Sequence, residues 1–135
     1  MTIKGIINGR PAGNEQGIVT AILGYLAAIG AMPVHHRNSG AIVRSGGRII
    51  FGRSRSMFNQ RGAPDILFTY MGRGVAVEAK SATGRLRPEQ REWLDRFQKG
   101  PSRGLVIVAR SVDDVEKAVD KIKAGETWTA DVGPA

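Results

Sequence analysis

The chain has 135 residues, no cysteine and a formal net charge of +8, from 20 Lys and Arg against 12 Asp and Glu, with a pI near 10.6. That length suits one domain able to bury roughly two-thirds of its unfolded surface without a disulfide or metal staple. The missing cysteine excludes a disulfide scaffold, a thiolate metal site and a cysteine nucleophile and points to a reducing, cytoplasmic setting, while the charge makes a polyanion the first partner to consider.

Residues 1–13 carry little pattern. Asn14 then reads as a helix N-cap, with Glu15 and Gln16 in the first turn. Ile18, Val19, Ile22, Leu23, Leu26 and Ala27 recur at three- and four-residue spacing, and Gly30 ends the run. Glu15, one turn before Ile18 and Val19, falls at the rim of that apolar face. The apolar stretch from Ile18 to Met32 is broken by Thr20, Gly24 and Gly30 and is too short to span a bilayer, and no secretory pattern opens the chain. Ala31 to Arg37 suggests a short strand, followed by a turn at Asn38-Ser39-Gly40. Ala41 to Arg44 and Arg48 to Phe51 suggest a hairpin across Ser45-Gly46-Gly47.

Ile66 to Met71 and Val75 to Lys80 are β-rich runs joined by Gly72-Arg73-Gly74. In the second run Val75, Val77 and Ala79 share one face and Ala76, Glu78 and Lys80 the other. A two-residue turn sets Met71 opposite Gly74, so that Asp65 faces Lys80 with Glu78 on the diagonal. A three-residue turn needs a bulge at Gly72 or Gly74 to keep that face. Pro88 opens a helix whose apolar stripe is Leu86, Trp93, Leu94 and Phe97, and Gly100-Pro101 stops it. Gly104 to Ala109 is a continuous apolar run, the pattern of a buried central strand. Val112 to Ala124 reads as a closing amphipathic helix with Val115, Ala118, Val119 and Ile122 inward. The tail from Gly125 holds Trp128 but no clear period. There is no internal repeat and no second domain. The order of helix, strands, helix, strand, helix makes a small α/β domain with a mixed sheet.

Charge is unevenly placed. From Gln16 to Pro64 stand six basic residues (Arg37, Arg44, Arg48, Arg53, Arg55 and Arg61) and no acidic one. More than half of the net excess, five of the +8, falls in the Gly/Ser/Arg-rich stretch from Arg44 to Arg61, where guanidinium forks suit phosphate. The plainer alternative is a solvated loop that keeps the protein soluble. His35 and His36 are adjacent and face opposite sides of a strand, which suits phosphate contacts or no role better than a metal pair. Trp93 and Phe97, at helical spacing, belong to the core, whereas Tyr70 and Trp128 can stack on DNA or pack at a subunit interface.

Asp65, Glu78 and Lys80 are the candidates for chemistry. Either turn geometry brings two carboxylates and one ammonium to one end of the hairpin. Two carboxylates with open positions suit Mg²⁺ or Mn²⁺, which take hard oxygen ligands, keep several waters and accept a substrate phosphate. Such an ion polarises the scissile phosphate and acidifies a bound water, and Lys80 can orient that water or neutralise charge developing on the phosphorane. The Ala79 carbonyl can add a ligand, and Glu15 can complete or support the shell. The triplet alone carries no weight, since 12 acidic residues and six lysines in 135 give an acid-x-Lys triplet about half a time by chance. An i,i+2 surface ion pair explains it equally well. What raises it is the conjunction of Pro64-Asp65 heading one strand, Glu78-Ala79-Lys80 in the next, and the arginine-rich stretch just upstream.

At these residues the sequence resembles the PD-(D/E)xK nuclease superfamily. The surrounding text is similar to its VRR-Nuc (virus-type replication-repair nuclease) branch: Arg37-Asn38-Ser39-Gly40, Gly62-Ala63-Pro64-Asp65, and Leu86-Arg87-Pro88-Glu89-Gln90-Arg91-Glu92-Trp93-Leu94. The likeness runs from about Asn14 to Arg110, leaving residues 111–135 as a C-terminal helix and tail of one domain, 1–135. It implies a small restriction-endonuclease-like fold, a mixed sheet flanked by helices, carrying a Mg²⁺- or Mn²⁺-dependent phosphodiesterase. It puts Asp65, Glu78 and the Ala79 carbonyl on metal and Lys80 on the water or phosphate, with Glu15 as the helix acid. Gln90 becomes the glutamine that props the site, and Arg37, Asn38 and Ser39 join the later arginines as DNA contacts. Stand-alone members are often phage proteins, and some act as homodimers on four-way (Holliday) DNA junctions. The sequence departs from the family pattern at Arg87, where a capping Ser is common, and in the longer arginine-rich stretch.

Two of these residues have plainer explanations. Gln90 lies four residues before Leu94 and seven before Phe97, on the buried face of its helix, where a glutamine needs partners whatever its function. Glu15 stabilises a helix N-terminus without any metal. Two further functional readings stay open beside the endonuclease. One is a non-catalytic basic module that binds nucleic acid and needs no metal. The other is a structural basic protein, which leaves the hairpin acids unexplained.

Overall fold

The computed structural model describes residues 6–7, 10–11, 14–36, 42–45, 48–51 and 61–133, with side chains over 14–34 and 61–133. Arg37, Asn38, Ser39, Arg53 and Arg55 lie outside the described residues, and Arg44, Arg48, His35 and His36 are described by backbone alone.

Two short strands, β1 (Ile6–Ile7) and β2 (Arg10–Pro11), pair with each other ahead of helix α1 (Glu15–Ala28). The Asn14 side chain accepts a hydrogen bond from Gly17 N–H at 2.7 Å, satisfying one of the helix's orphan donors. Past its C-terminus Gly30 takes a left-handed φ of 78°, the conformation that a helix stop favours in glycine. The chain continues into β3 (Met32–His36), whose register slips between Pro33 and His35. Pro33 sits there without loss because β3 is an edge strand. Strands β4 (Ile42–Ser45) and β5 (Arg48–Phe51) form a separate hairpin with Ser45 paired to Arg48, so Ser45 belongs to the strand and not to the turn.

Strands β6 (Ile66–Tyr70) and β7 (Arg73–Ala79) form the second hairpin, in a different register from the one the sequence suggests. Tyr70 pairs with Arg73, leaving Met71-Gly72 as the turn, with φ of 49° and 78°. Positive φ at both positions marks a primed two-residue turn that matches the twist of the strands. Gly72 could serve either position of such a turn. The structure uses the second, and the wholly buried Ile66 and Phe68 lie beside the wholly buried Val77 and Val75. The pairing moves by two residues, so the faces survive but the partners change. One step beyond Ile66↔Val77, Asp65 comes opposite Glu78 rather than Lys80.

Helix α2 (Pro88–Lys99) starts at Pro88 and is followed by β8 (Leu105–Ala109) and α3 (Val112–Lys123). The sheet order is β3-β6-β7-β8, with β7 and β8 parallel and the other pairs antiparallel. Strand β8 is therefore an edge strand, not the central one that its apolar run suggests. The run is continuous because helices cover both of its faces, which says nothing about its place in the order. Its outer edge is shielded by the tail, where Trp128 Nε1 donates to Val106 O at 2.9 Å. The tail is pinned in turn by Gln98, which exchanges two hydrogen bonds with Ala130.

Helices α1 and α3 cover one face of the sheet, with Ile22, Leu26, Val115 and Val119 packed on Phe68, Val75, Val77 and Ile107. On the other face Leu94 of α2, with Trp93 and Phe97, packs on Ala76 and Val106. The fold is a small α/β domain whose four-stranded mixed sheet is flanked by three helices, in keeping with a restriction-endonuclease-like architecture. Tyr70 and Trp128 both pack against the core, so their apolar surface is used inside the molecule. No helix among the described residues is long and apolar enough to cross a membrane.

Candidate active site

Strands β7 and β8 end side by side, and β6 begins beside them. In open α/β sheets this carboxyl end of parallel strands is where ligands bind. Glu78 and Lys80 follow each other at the end of β7, only 2% and 6% exposed. Burial of both comes from the fold: β7 is flanked on both sides, and Lys80 N–H still donates to Ala109 O at 2.9 Å. A carboxylate and an ammonium removed from water each lose several kcal/mol of solvation, so partners must offset it.

Gln90 supplies one partner. It lies in the first turn of α2, 1% exposed, and its Nε2 donates to Glu78 Oε1 at 2.9 Å. Its Oε1 accepts from Arg87 N–H at 2.9 Å. Arg87 has no acceptor to offer the helix, so Gln90 alone closes the half of a capping box that this N-terminus can make. One side chain thus fixes the helix start and the orientation of the buried carboxylate. Lys80 Nζ lies 3.8 Å from Glu78 Oε1 and 4.0 Å from Glu15 Oε1, between an almost wholly buried acid and one about half exposed.

Asp65 comes to the same end from the start of β6. Its Oδ2 accepts from Ala79 N–H at 2.9 Å, which ties it to β7 next to Glu78. Ahead of it Gly62, Ala63 and Pro64 are all buried. Gly62 has a φ of 82°, and a Cβ there would overlap the Glu89 carbonyl oxygen of α2. Glycine is needed here for both reasons: the left-handed backbone and the close approach. That contact locks the segment carrying Asp65 to the helix turn carrying Gln90.

The structure brings together Asp65, Glu78, Lys80 and Gln90, with Glu15 at the margin. Among the described residues no three His, Asp or Glu side chains converge on a metal-sized site, so an ion here would draw on the two carboxylates with backbone oxygen and water. Of the basic candidates for DNA, Arg61 is exposed beside this end of the sheet. Sequence reasoning missed Gly62 as a packing residue and Arg110 altogether. Arg110 directly follows β8, and its Nη1 donates to Ser81 O and, at 2.8 Å, to Gly84 O, holding the loop that leaves Lys80. The available signal was its position at the C-terminal end of an apolar strand.

Comparison with curated proteins and with solved structures finds no match to this chain. The family model of the VRR-NUC domain matches residues 53–113. The matched stretch holds Asp65, Glu78, Lys80 and Gln90 and leaves out Glu15 and all of α1. Over those residues the chain is similar to the VRR-NUC domain, a nuclease-type family, which implies DNA as substrate and suggests a divalent metal as cofactor class.

Proposed function

We propose that the chain is a Mg²⁺- or Mn²⁺-dependent DNA endonuclease that hydrolyses phosphodiester bonds at the end of β7. It would act by preference on branched DNA such as four-way junctions, as a homodimer. The observation that carries this reading is the buried acid and ammonium of Glu78 and Lys80, held by a glutamine from a second element. Such groups lower stability where apolar residues would serve, and they concentrate where chemistry needs them.

The donor set suits the cofactor. Asp65 and Glu78 offer carboxylate oxygens and Ala79 a backbone carbonyl, the hard ligands that Mg²⁺ and Mn²⁺ take. When bound, the ion would supply Lewis acidity to the phosphate and a more acidic water. The protein's own part is positional. Gln90 holds the Glu78 carboxylate in one orientation. Asp65 is held against β7 by the Ala79 N–H, which sets the spacing of the two acids. Lys80 Nζ, within 4.0 Å of both Glu78 and Glu15, would donate to the oxygen on which negative charge develops. The preference for junctions rests on the family likeness. Dimerisation follows from it, because a two-fold symmetric junction presents two equivalent bonds and needs two sites related by a two-fold axis.

The test is cleavage of labelled four-way junction, fork, duplex and single-stranded DNA with Mg²⁺, Mn²⁺ or EDTA, comparing wild type with Lys80→Ala. Paired, metal-dependent cuts in the junction, reduced at least about 10²-fold in Lys80→Ala while binding persists, are expected. Equal cutting of every substrate would remove the junction preference and keep the nuclease. Binding without cutting under any metal would leave a non-catalytic nucleic-acid-binding module.

A further inference from the structure

A phosphodiester approaching this site meets two carboxylates, and the ammonium nearest to it is already shared. Lys80 Nζ stands 3.8 Å from Glu78 and 4.0 Å from Glu15. Attraction for a polyanion must therefore come from cations around the site rather than within it. The described residues supply four of them. The segments that carry Asp65, Lys80 and Gln90, and the strand end that holds Lys80, each bring one exposed arginine. Arg61 precedes the Gly62–Asp65 segment, and Arg85 closes the loop that leaves Lys80. Arg87 stands at the N-cap of α2, one turn before Gln90. Arg110 follows Ala109, the residue whose carbonyl holds Lys80 N–H.

These arginines are neighbours in space as well. Arg110 donates to Gly84 O at 2.8 Å, which puts it beside Arg85. Gly62 touches the Glu89 carbonyl, which puts Arg61 beside the helix turn that Arg87 opens. These two contacts link Arg110 to Arg85 and Arg61 to the turn of Arg87, and Arg85 and Arg87 are two residues apart in the chain. Arg87 Nε lies 3.6 Å from Glu89 Oε1, yet both side chains reach solvent, so this pair does little to hide the guanidinium. Two of the four, Arg85 and Arg87, lie in a part of the chain where the sequence drew attention to the helix start and not to charge.

We propose that Arg61, Arg85, Arg87 and Arg110 form a collar that takes successive phosphates of a DNA strand and lays one phosphodiester on the end of β7. The proposal rests on the nuclease reading for what the strand is delivered to, but the collar binds with or without cleavage. It makes the arginine-rich stretch upstream an addition to a footprint that the folded core already possesses. Each arginine that neutralises one phosphate releases condensed counterions, so binding depends on salt with a slope that counts the contacts.

The experiment is fluorescence anisotropy of a labelled DNA duplex and a labelled four-way junction, in EDTA, across a series of KCl concentrations. Three double variants each remove two positive charges: Arg85→Gln with Arg87→Gln, Arg61→Gln with Arg110→Gln, and Arg96→Gln with Arg103→Gln. The last pair is exposed and lies at the opposite end of α2 and before β8, away from the site. Each collar pair should flatten the slope of log K against log salt by about 2, and the distant pair should leave it unchanged. Arg110 also holds the loop, so a melting curve accompanies that variant, and Arg85 with Arg87 decides the matter if it unfolds early. Equal losses in all three pairs would show net charge alone at work and overturn the collar, as would collar variants that bind like wild type. Because this assay holds no metal it reads the collar alone; a wild type that binds through the collar here and cuts nothing when Mg²⁺ or Mn²⁺ is supplied would sink the nuclease reading and leave the collar standing.

Discussion

Gln90 is the residue where fold and site meet, and its replacement by methionine separates the two roles. The side chain makes two hydrogen bonds of 2.9 Å, one to Glu78 Oε1 and one from Arg87 N–H. Methionine keeps the volume and removes both. Loss of the bond to the buried carboxylate costs about 1.5–3 kcal/mol, and loss of the backbone bond about 1 kcal/mol. Gln90→Met should therefore lower stability by roughly 2.5–4 kcal/mol in urea unfolding followed by the fluorescence of Trp93 and Trp128. In a Glu78→Leu background only the backbone bond remains to lose, so the same substitution should cost about 1 kcal/mol. The difference, about 1.5–3 kcal/mol, is the coupling of Gln90 to Glu78, and whatever Glu78→Leu does to Lys80 cancels in the cycle. An equal cost in both backgrounds would refute the reasoning and leave Gln90 as a helix-start residue with no hold on the acid.

Three other substitutions test the packing that places the site. Met71→Asn should raise stability by about 0.5–1 kcal/mol in chemical denaturation. Its φ of 49° suits asparagine better, and the methionine side chain, 65% exposed, gives up little contact. Gly104→Ala would drive a Cβ into the Phe97 ring. It should cost about 1–3 kcal/mol, with much of that recovered by Phe97→Leu in the same chain. Trp128→Phe keeps the ring against the core but removes the donor to Val106 O. A loss of about 1 kcal/mol is expected, with faster amide exchange along β8 than along β6 as the specific sign that the tail covers this edge.

How much of this was legible depends on whether the signal was local. Asn14, Gly30 and Pro88 mark helix ends through their own conformational preferences, and the structure puts the ends there. The faces of β7 followed from the two-residue period, which is why Glu78 and Lys80 were correctly placed together. The register of the hairpin was not legible, because Gly72 fits either turn position and a shift of two residues keeps every side chain on its face. The same holds for β8, whose apolar run reports helices above and below it but not its neighbours in the sheet. Gly62 and Arg110 act on backbone carbonyls of distant segments, at Glu89 and at Ser81 and Gly84. Backbone atoms leave no mark in a sequence, so contacts made to them stay invisible until the chain is folded.

The fourth corner of the Glu78–Gln90 cycle bears on why the cluster exists. A carboxylate 2% exposed on a strand flanked on both sides is an expensive way to fill space. Gln90 and Lys80 reduce that cost, but an apolar pair of similar volume would have none of it to reduce, and buried polar clusters replaced as a unit often leave a protein as stable or more so. That corner still leaves the Lys80 ammonium buried beside a leucine, so the chain with Glu78→Leu, Gln90→Met and Lys80→Met together should unfold at a urea concentration no lower than that of wild type, although Gln90→Met alone is strongly destabilised. A triple variant that is folded, stable and unable to cut DNA would separate stability from function at this end of the sheet. It would mean that the polar cluster is kept for the chemistry, since nothing in the packing of the sheet requires it.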